Sequence, residues 1–381
     1  MNTTFIMPKQ IFRGLGSIEN IKKVQGTKAI IVTGGNSTKS NGTLDKLESY
    51  LDASSIEYKT ISGIGADPTL EEVKEGAKTM SIFEPDIIIG VGGCSAIDAA
   101  KAMWVFYEHP KTSFETIISP FSVPTMRNKA KFIAIPTTSG TGTEITGLAV
   151  ITKGKIKYPI VSHELTPDIA IIDGSLCATM PKDVTANTGM DALVHAIEAY
   201  TSNISDPISE ALAKDAVRMI FESLPIVIEN PNDLTHRQKM HDASCMAGMA
   251  FTNVWLGIVH SMAHQIGGTF GIEHGCANAI LMPNVIRYNS KEVDYTELAK
   301  IIGKKNTKQF IEAIEDLRSI VGIPSTFKEC GIDATEFKKA LTKMSKASME
   351  DPCTLFNKRS TTVLEIKKLY RACYEGKKVK F

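Results

Sequence analysis

The sequence predicts two domains of different class: an α/β half built on a mostly parallel, Rossmann-like sheet, followed by an all-α half. Three observations predict it. Short β-branched runs alternate with amphipathic stretches through the first 180 residues. Beyond Pro181 such runs become scarce and helical spacing takes over. The 381 residues exceed what one core usually serves, and 43% hydrophobic with 22% charged residues is ordinary globular composition. The boundary falls at Met180-Pro181, giving domains 1–180 and 181–381.

The expected strands are Lys28–Thr33, Glu57–Ile61, Asp86–Val91, Lys131–Pro136 and Asp168–Asp173. Each is a nearly continuous apolar run, as in a sheet covered on both faces. Amphipathic stretches at 42–53, 69–82 and 95–107 supply the crossover helices. Residues 145–163 differ: Lys153-Gly154 separates two β-prone arms, which predicts a hairpin. In the second half helical spacing predicts Val184–Ser202, Pro207–Glu229, Leu234–Phe251, Gly257–Ile266, Asn278–Asn289, Tyr295–Ile302, Thr307–Val321, Ala334–Ser348 and Ser360–Tyr374.

Residues 243–272 contain no Asp, Glu, Lys or Arg. A bilayer span takes about 20 apolar residues. This run, however, holds two histidines, Asn253, Gln265 and several glycines, so it reads as the buried centre of the helical domain. Its polar residues then need partners.

Forty-three Lys+Arg against 42 Asp+Glu leave a net charge of +1, which provides no field to attract nucleic acid or an anionic membrane. Seven scattered cysteines without a CxxC pair argue against a disulfide framework and a thiolate zinc site. The opening MNTTFIMPKQIFRG shows no basic run followed by an apolar one. A cytoplasmic protein is expected.

Three strand-to-loop junctions suit a nucleotide. Gly90-Val91-Gly92-Gly93-Cys94-Ser95 lets backbone amides approach a phosphate at a helix N-terminus, with Ser95 as expected N-cap and Asp98 three residues on. The literal GxGxxG is absent. Pro136 to Glu144 is a run of small and hydroxylated residues, including Thr137, Thr138, Thr141 and Thr143, rich in donors for a pyrophosphate or ribose. Thr33-Gly34-Gly35-Asn36-Ser37 carries no acid for an adenosine ribose, so its small donors, with Lys39 nearby, suit a 2′-phosphate.

The second half supplies Asp191-x-x-x-His195 and His260-x-x-x-His264, then His274. Residues i and i+4 share a helix face. Carboxylate plus imidazoles suit Fe(II), Zn(II) or Mn(II). His109, His163, His236 and His241 lie in charged or turn-like contexts and read as surface residues.

The segments GVGGCSAIDAAKAM, PTTSGTGTE, GMDALVHAIEAY and GIVHSMAHQIGGTFGIEHGCANAILMP resemble, in the same order, the signatures of the iron-containing (group III) alcohol dehydrogenases. The likeness extends to butanol and propanediol dehydrogenases and to the alcohol dehydrogenase part of bifunctional aldehyde–alcohol dehydrogenases. It implies a dehydroquinate synthase-like architecture, with a metal held by Asp191, His195, His260 and His274. His264 matches a histidine near the site that is usually not a ligand, and is the candidate proton relay. Gly34, Gly35, Ser37, Asp67, Gly92, Gly93, Cys94, Ser95, Asp98, Thr137, Thr138, Thr141, Thr143 and Lys157 are the expected cofactor residues. Cys94 stands where a third glycine is common, Thr143 where a serine is, and Gly34 where NAD-preferring members often carry Asp. Together with the resemblance of GGNSTKSNG to NADPH-dependent members, Gly34 favours NADP(H) over NAD(H).

The implied activity is hydride transfer between NAD(P)(H) and a small aliphatic alcohol or aldehyde, with the metal, Fe(II) first, as Lewis acid on the substrate oxygen. A homodimer or larger homo-oligomer is expected. The competing readings are a dehydroquinate synthase-like metal lyase using NAD transiently and a non-catalytic metal- or nucleotide-binding protein.

Overall fold

The computed structural model describes residues 4–379, which form two compact units. The first comprises the residues up to Thr138 together with Gly142–Thr179. The second comprises Ser139–Thr141 and the chain from Met180 onward.

The first unit carries strands β1 (Gln10–Arg13), β2 (Lys28–Gly34), β3 (Glu57–Ile64), β4 (Ile87–Gly92), β5 (Lys131–Pro136), β6 (Leu148–Lys153), β7 (Ile156–Val161) and β8 (Ile169–Ile172). Six of them make one all-parallel sheet in the order β1-β8-β5-β4-β2-β3. Strands β6 and β7 pair antiparallel, as the hairpin signal predicts.

Alternation of side chains explains why the strand sequences are apolar throughout. Ile30, Val32, Ile88, Phe132 and Ala134 pack with helices Leu70–Phe83 and Cys94–Glu108. Ala29, Ile31, Ile87, Ile89, Ile133 and Ile171 pack on the other face with Leu44, Leu47 and Leu51 of helix Thr43–Ala53 and with Ile18 and Ile21. Full burial of each large aliphatic chain contributes about 1.5–3 kcal/mol. Strand β1 has no such signal: QIFR is half-exposed, and its place at a sheet edge leaves the sequence polar.

The second unit is helical. Its core runs through helices Lys182–Tyr200, Pro207–Glu229, Leu234–Val254, Ile258–Phe270, His274–Asn289, Thr307–Ile320, Ala334–Glu350 and Val363–Glu375. The uncharged run 243–272 is divided between two of these. The break falls at Trp255, whose φ of 64° ends the first helix, and at Gly257, which precedes the second. Among the described residues no helix is long and apolar enough to cross a membrane.

Among the helix starts that differ from expectation, two show their cause in a side-chain hydrogen bond. Helix Cys94–Glu108 begins after Gly93 rather than at a Ser95 cap, because the Ser95 hydroxyl donates instead to the Ala66 carbonyl. The helix expected from Asn278 begins four residues earlier, at His274, because the Glu273 carboxylate caps the Cys276 amide at 2.9 Å.

Glu108 closes helix Cys94–Glu108 onto the loop ahead of β5. Its carboxylate accepts from the amides of Asn128, Lys129 and Ala130 at 2.9, 3.1 and 3.2 Å and from the Trp104 indole at 3.2 Å. Burial alone would raise its pKa, but these bonds outweigh burial and hold it below the usual value. A depressed carboxyl stabilises the fold above its unfolded pKa of about 4.3 and loses that contribution as pH falls through the folded value. Glu108→Gln is therefore expected to cost about 1–3 kcal/mol at pH 7. Urea unfolding checks this, with the gap between variant and wild type narrowing in acid.

Candidate metal centre and cofactor loops

Strands β2 and β4 are neighbours, but the chain leaves β2 toward β3 on one side and continues from β4 to β5 on the other. Ligands of open parallel sheets bind at such a reversal, outside the carboxyl ends of the strands. Gly34 and Gly92 end these two strands. Gly92 has φ of 139°, and a Cβ there would lie 3.2 Å from the Ala96 Cβ and 3.8 Å from the Gly34 amide nitrogen. The two glycine turns are thus in close approach. Gly35, Asn36, Ser37 and Lys39 beside them are exposed.

Gly93 is the N-cap of helix Cys94–Glu108, and no side chain caps that helix. Cys94 fits because its thiol turns along the helix and donates to Asp98 Oδ2 at 3.6 Å. The Thr137 amide donates to the Gly92 carbonyl at 2.8 Å, and a Cβ on Gly93 would lie 3.7 Å from Thr138 Cγ2. The start of the hydroxyl-rich loop therefore joins the glycine turns. Thr141 belongs to the second unit. Asp67 and Lys157, both expected near the cofactor, form an exposed ion pair with one another.

Asp98 and Thr143 turn inward. Both are buried. The Thr143 hydroxyl donates to Asp98 Oδ1 at 2.7 Å, and Asp98 Oδ2 accepts from the Val150 amide at 2.9 Å. These bonds tie the loop after β5 to the helix that opens at the glycine turn. Lys101, one turn on, is fully buried and donates to the carbonyls of Thr143, Thr146 and Leu148 at 2.6, 2.7 and 2.9 Å. Burial pushes its ammonium down to about 8, against the pull of Asp98, Cys94 and Glu144. One helix face thereby fixes residues 143–150 to the helix that opens with the glycine turn.

In the second unit, Asp191 and His195 lie one turn apart on helix Lys182–Tyr200, both buried. His260 sits in the first turn of helix Ile258–Phe270, and His274 opens the next helix. Asp191, His195 and His260 offer ligand atoms within 4.8 Å of one another. His260 Nε2 and His274 Nε2 lie 3.8 and 3.6 Å from Asp191 Oδ1, and His195 Nδ1 lies 3.9 Å from Oδ2. His274 is the open side, with its side chain 39% exposed. Gly275 allows this approach, since a Cβ there would lie 2.1 Å from the Asn187 carbonyl.

Several partners escaped the sequence reading. Glu198 Oε2 lies 2.6 Å from His260 Nδ1, and its Oε1 accepts from the Val259 amide at 2.7 Å. With Nδ1–H committed to Glu198, the His260 Nε2 lone pair faces Asp191. Asn278 places its amide nitrogen 2.7 Å from Asp191 Oδ1, 3.3 Å from His260 Nε2 and 3.1 Å from His274 Nε2. Phe251 stacks on His195 at 4.4 Å, and His195 on His260 at 4.6 Å. Spacing held a signal for two of these: Glu198 is i+7 from Asp191 and Asn278 is i+4 from His274.

Burial would raise Asp191, but His195, His274, His260 and the Asn278 amide hold its carboxyl below the usual range. Burial, then the charges of His195 and His274, push His260 far below an ordinary histidine. A buried carboxylate with three imidazole nitrogens 3.6–3.9 Å from its oxygens is a donor set that fits a divalent ion.

His264 stands apart from this cluster. Its Nδ1 lies 2.8 Å from Asp351 Oδ2, and its half-exposed ring stacks on His274 at 5.4 Å. His241 is buried, not on the surface; its Nδ1 lies 3.0 Å from the Ser139 hydroxyl. Charged neighbours in sequence hid that it faces the helical core.

The family described as "Iron-containing alcohol dehydrogenase" matches residues 8–174, and the "Fe-containing alcohol dehydrogenase family, C-terminal" matches residues 185–374. An NADPH-dependent butanol dehydrogenase of Clostridium saccharobutylicum is 48% identical, with 99% of each chain covered. A bifunctional aldehyde–alcohol dehydrogenase of Escherichia coli K12 is 36% identical over 97% of this chain, which spans 46% of that protein. An iron-containing alcohol dehydrogenase structure from Thermococcus thioreducens superimposes with a TM-score of 0.92 at 34% identity, covering 98% of this chain and 100% of that one.

Lys101→Met is expected to weaken NADPH binding at least about tenfold, equivalent to about 1.4 kcal/mol, while metal content stays unchanged. Fluorescence titration of the folded variant checks this; unchanged affinity would remove the loop-holding role.

Proposed function

The chain belongs to the iron-containing alcohol dehydrogenase family, and from that premise we propose that it interconverts small aliphatic aldehydes and alcohols with NADP(H), Asp191, His195, His260 and His274 holding the metal. The convergence of Asp191 with the three imidazoles carries the reading. Fe(II) is the first choice of ion, with Zn(II) and Mn(II) compatible with the same donors. The relatives reported above bear alcohol dehydrogenase names, so the lyase reading is set aside.

When bound, the ion supplies a Lewis acid for the substrate oxygen and the nicotinamide carries the hydride. The chain's own residues do the rest. Glu198 holds the proton on His260 Nδ1 and so keeps Nε2 a ligand. Asp351 accepts from His264 Nδ1, which orients the ring at the exposed edge of the cluster, where it exchanges protons with solvent. Phe251 walls one side of His195 with an apolar ring. Trp255 stacks on Phe356 at 5.2 Å and holds φ 64°, ψ −171°, a strained conformation for a side-chain-bearing residue. These surfaces favour an aliphatic substrate chain over a charged one.

The preference for NADP(H) is supported by the exposed, acid-free turn Gly34 to Ser37 with Lys39, and by the NADPH dependence of the Clostridium saccharobutylicum relative. The seven free cysteines fit a reducing cytosol. A homodimer or larger assembly fits a sheet whose edge strands are β1 and β3.

Anaerobic reconstitution with Fe(II), followed by NADPH or NADH oxidation with butanal, tests this reading. Turnover is expected to need metal and to favour NADPH by at least about tenfold, the worth of one charge-assisted phosphate contact. Gly34→Asp is expected to reverse the preference. Metal-independent turnover, or equal rates with both cofactors, would contradict it.

A further inference from the structure

We propose that His264, Asp351 and Cys353 form a second, sulfur-bearing site for a thiophilic divalent ion such as Zn(II), and that filling it arrests the enzyme. The three residues offer an imidazole nitrogen, a carboxylate oxygen and a thiol within 4.8 Å of one another. They share no residue with the Asp191 cluster.

The geometry is built by the backbone as well as by the side chains. Asp351 caps the short helical turn Pro352–Phe356: its Oδ1 accepts from the Cys353 amide at 3.0 Å, which fixes the thiol beside the carboxylate. Its other oxygen lies 2.8 Å from His264 Nδ1. Thr354 Oγ1 sits 2.7 Å from Ser261 Oγ and 2.6 Å from the Ser348 carbonyl, which ties this turn to the helix that carries His264. The Asp351 side chain is 10% exposed and that of His264 is 42% exposed. Two ligands are thus set in the wall and one at the rim, leaving an open side for water. Three protein ligands plus water is the arrangement of zinc sites that are not purely structural.

Donor chemistry separates the two sites. The Asp191 cluster offers oxygen and nitrogen only, whereas the second includes sulfur, which selects zinc or cadmium over magnesium or calcium. Burial would raise the Asp351 carboxyl, yet its bond to His264 and that residue's charge hold it below the usual range. The site therefore keeps an anion ready. Without a cation the half-buried Cys353 thiol stays protonated, since desolvation and then the charges of Asp351 and Glu198 push it well above its ordinary value. A bound dication reverses that balance. Binding releases one proton from Cys353 to solvent, and the proton on His264 Nδ1 moves to Nε2, leaving Nδ1 as the ligand.

His264 also stacks on His274, so an ion on its ring lies next to the reacting region. Occupation removes His264 from proton exchange. Only this consequence rests on the role given to His264 above; binding itself does not.

The test uses the iron-loaded protein titrated with Zn(II) and, in parallel, Co(II). Zinc-edge X-ray absorption is expected to show one sulfur neighbour at about 2.3 Å, and Co(II) a thiolate charge-transfer band in the near ultraviolet. Both signals should vanish in Cys353→Ser and weaken in Asp351→Asn, and persist in Asp191→Ala, which disables the first site. Cys353→Ser should keep iron and turnover but escape zinc inhibition. Added zinc with nitrogen and oxygen neighbours only, or a sulfur signal that survives Cys353→Ser, would overturn the site. Inhibition persisting in Cys353→Ser would overturn the arrest.

Discussion

Asp191 is buried to 3% exposure, and the imidazole facing it from His260 presents a lone pair rather than a proton. Two acceptors pointed at one another repel unless a donor or cation stands between them. Much of the helical unit serves that confrontation. Glu198 accepts the hydrogen bond from His260 Nδ1–H and so leaves Nε2 facing inward. Gly275 lets the His274 helix start against the Asn187 backbone. Asn278 places one amide among all three acceptors, and its own oxygen has no hydrogen-bond partner. A buried polar group left unsatisfied costs about 1–3 kcal/mol. Such an arrangement is retained when an ion satisfies the acceptors together.

The first unit uses buried charge differently. Asp98 and Lys101 turn inward, taking up the Val150 amide and the carbonyls of Thr143, Thr146 and Leu148. Their role is to shape the loop after β5 and tie it to the helix that begins at the glycine turn. What meets at the reversal of strand order between β2 and β4 is then backbone: Gly34, Gly92 and Gly93. In both units a charged group that never needs to meet a ligand sets the position of those beside it.

Most of the fold was legible. Four of the five expected runs, in β2, β4, β5 and β8, are strands buried on both faces, and composition reports that; the fifth, β3, is a largely exposed edge strand. Strand β1 was not legible, since an edge strand of four half-exposed residues carries no periodic signal. The metal-site spacing was legible because i and i+4 on a helix share a face. What the spacing could not reveal was the direction of side chains with two uses. Asp98 and Thr143 resembled ligand donors by type but bond to one another. Ser95 resembled a cap but donates to Ala66. His241 was hidden by charged sequence neighbours that point elsewhere. Asp351 lies 87 residues from His264, a distance no local pattern spans.

The central claim is that the Asp191 cluster is organised for a divalent ion. Anaerobic thermal unfolding of metal-free protein with and without Fe(II) tests it most directly. At about a hundredfold excess over Kd the ion adds about 2.7 kcal/mol to the folded state. That should raise Tm by about 3–4 °C in a chain of this size. Asp191→Asn should be somewhat less stable than wild type at pH 7 even without metal, because its partners hold the Asp191 carboxyl below the usual range, and should gain nothing from Fe(II). An equal rise in both proteins, or none in wild type, would contradict the account.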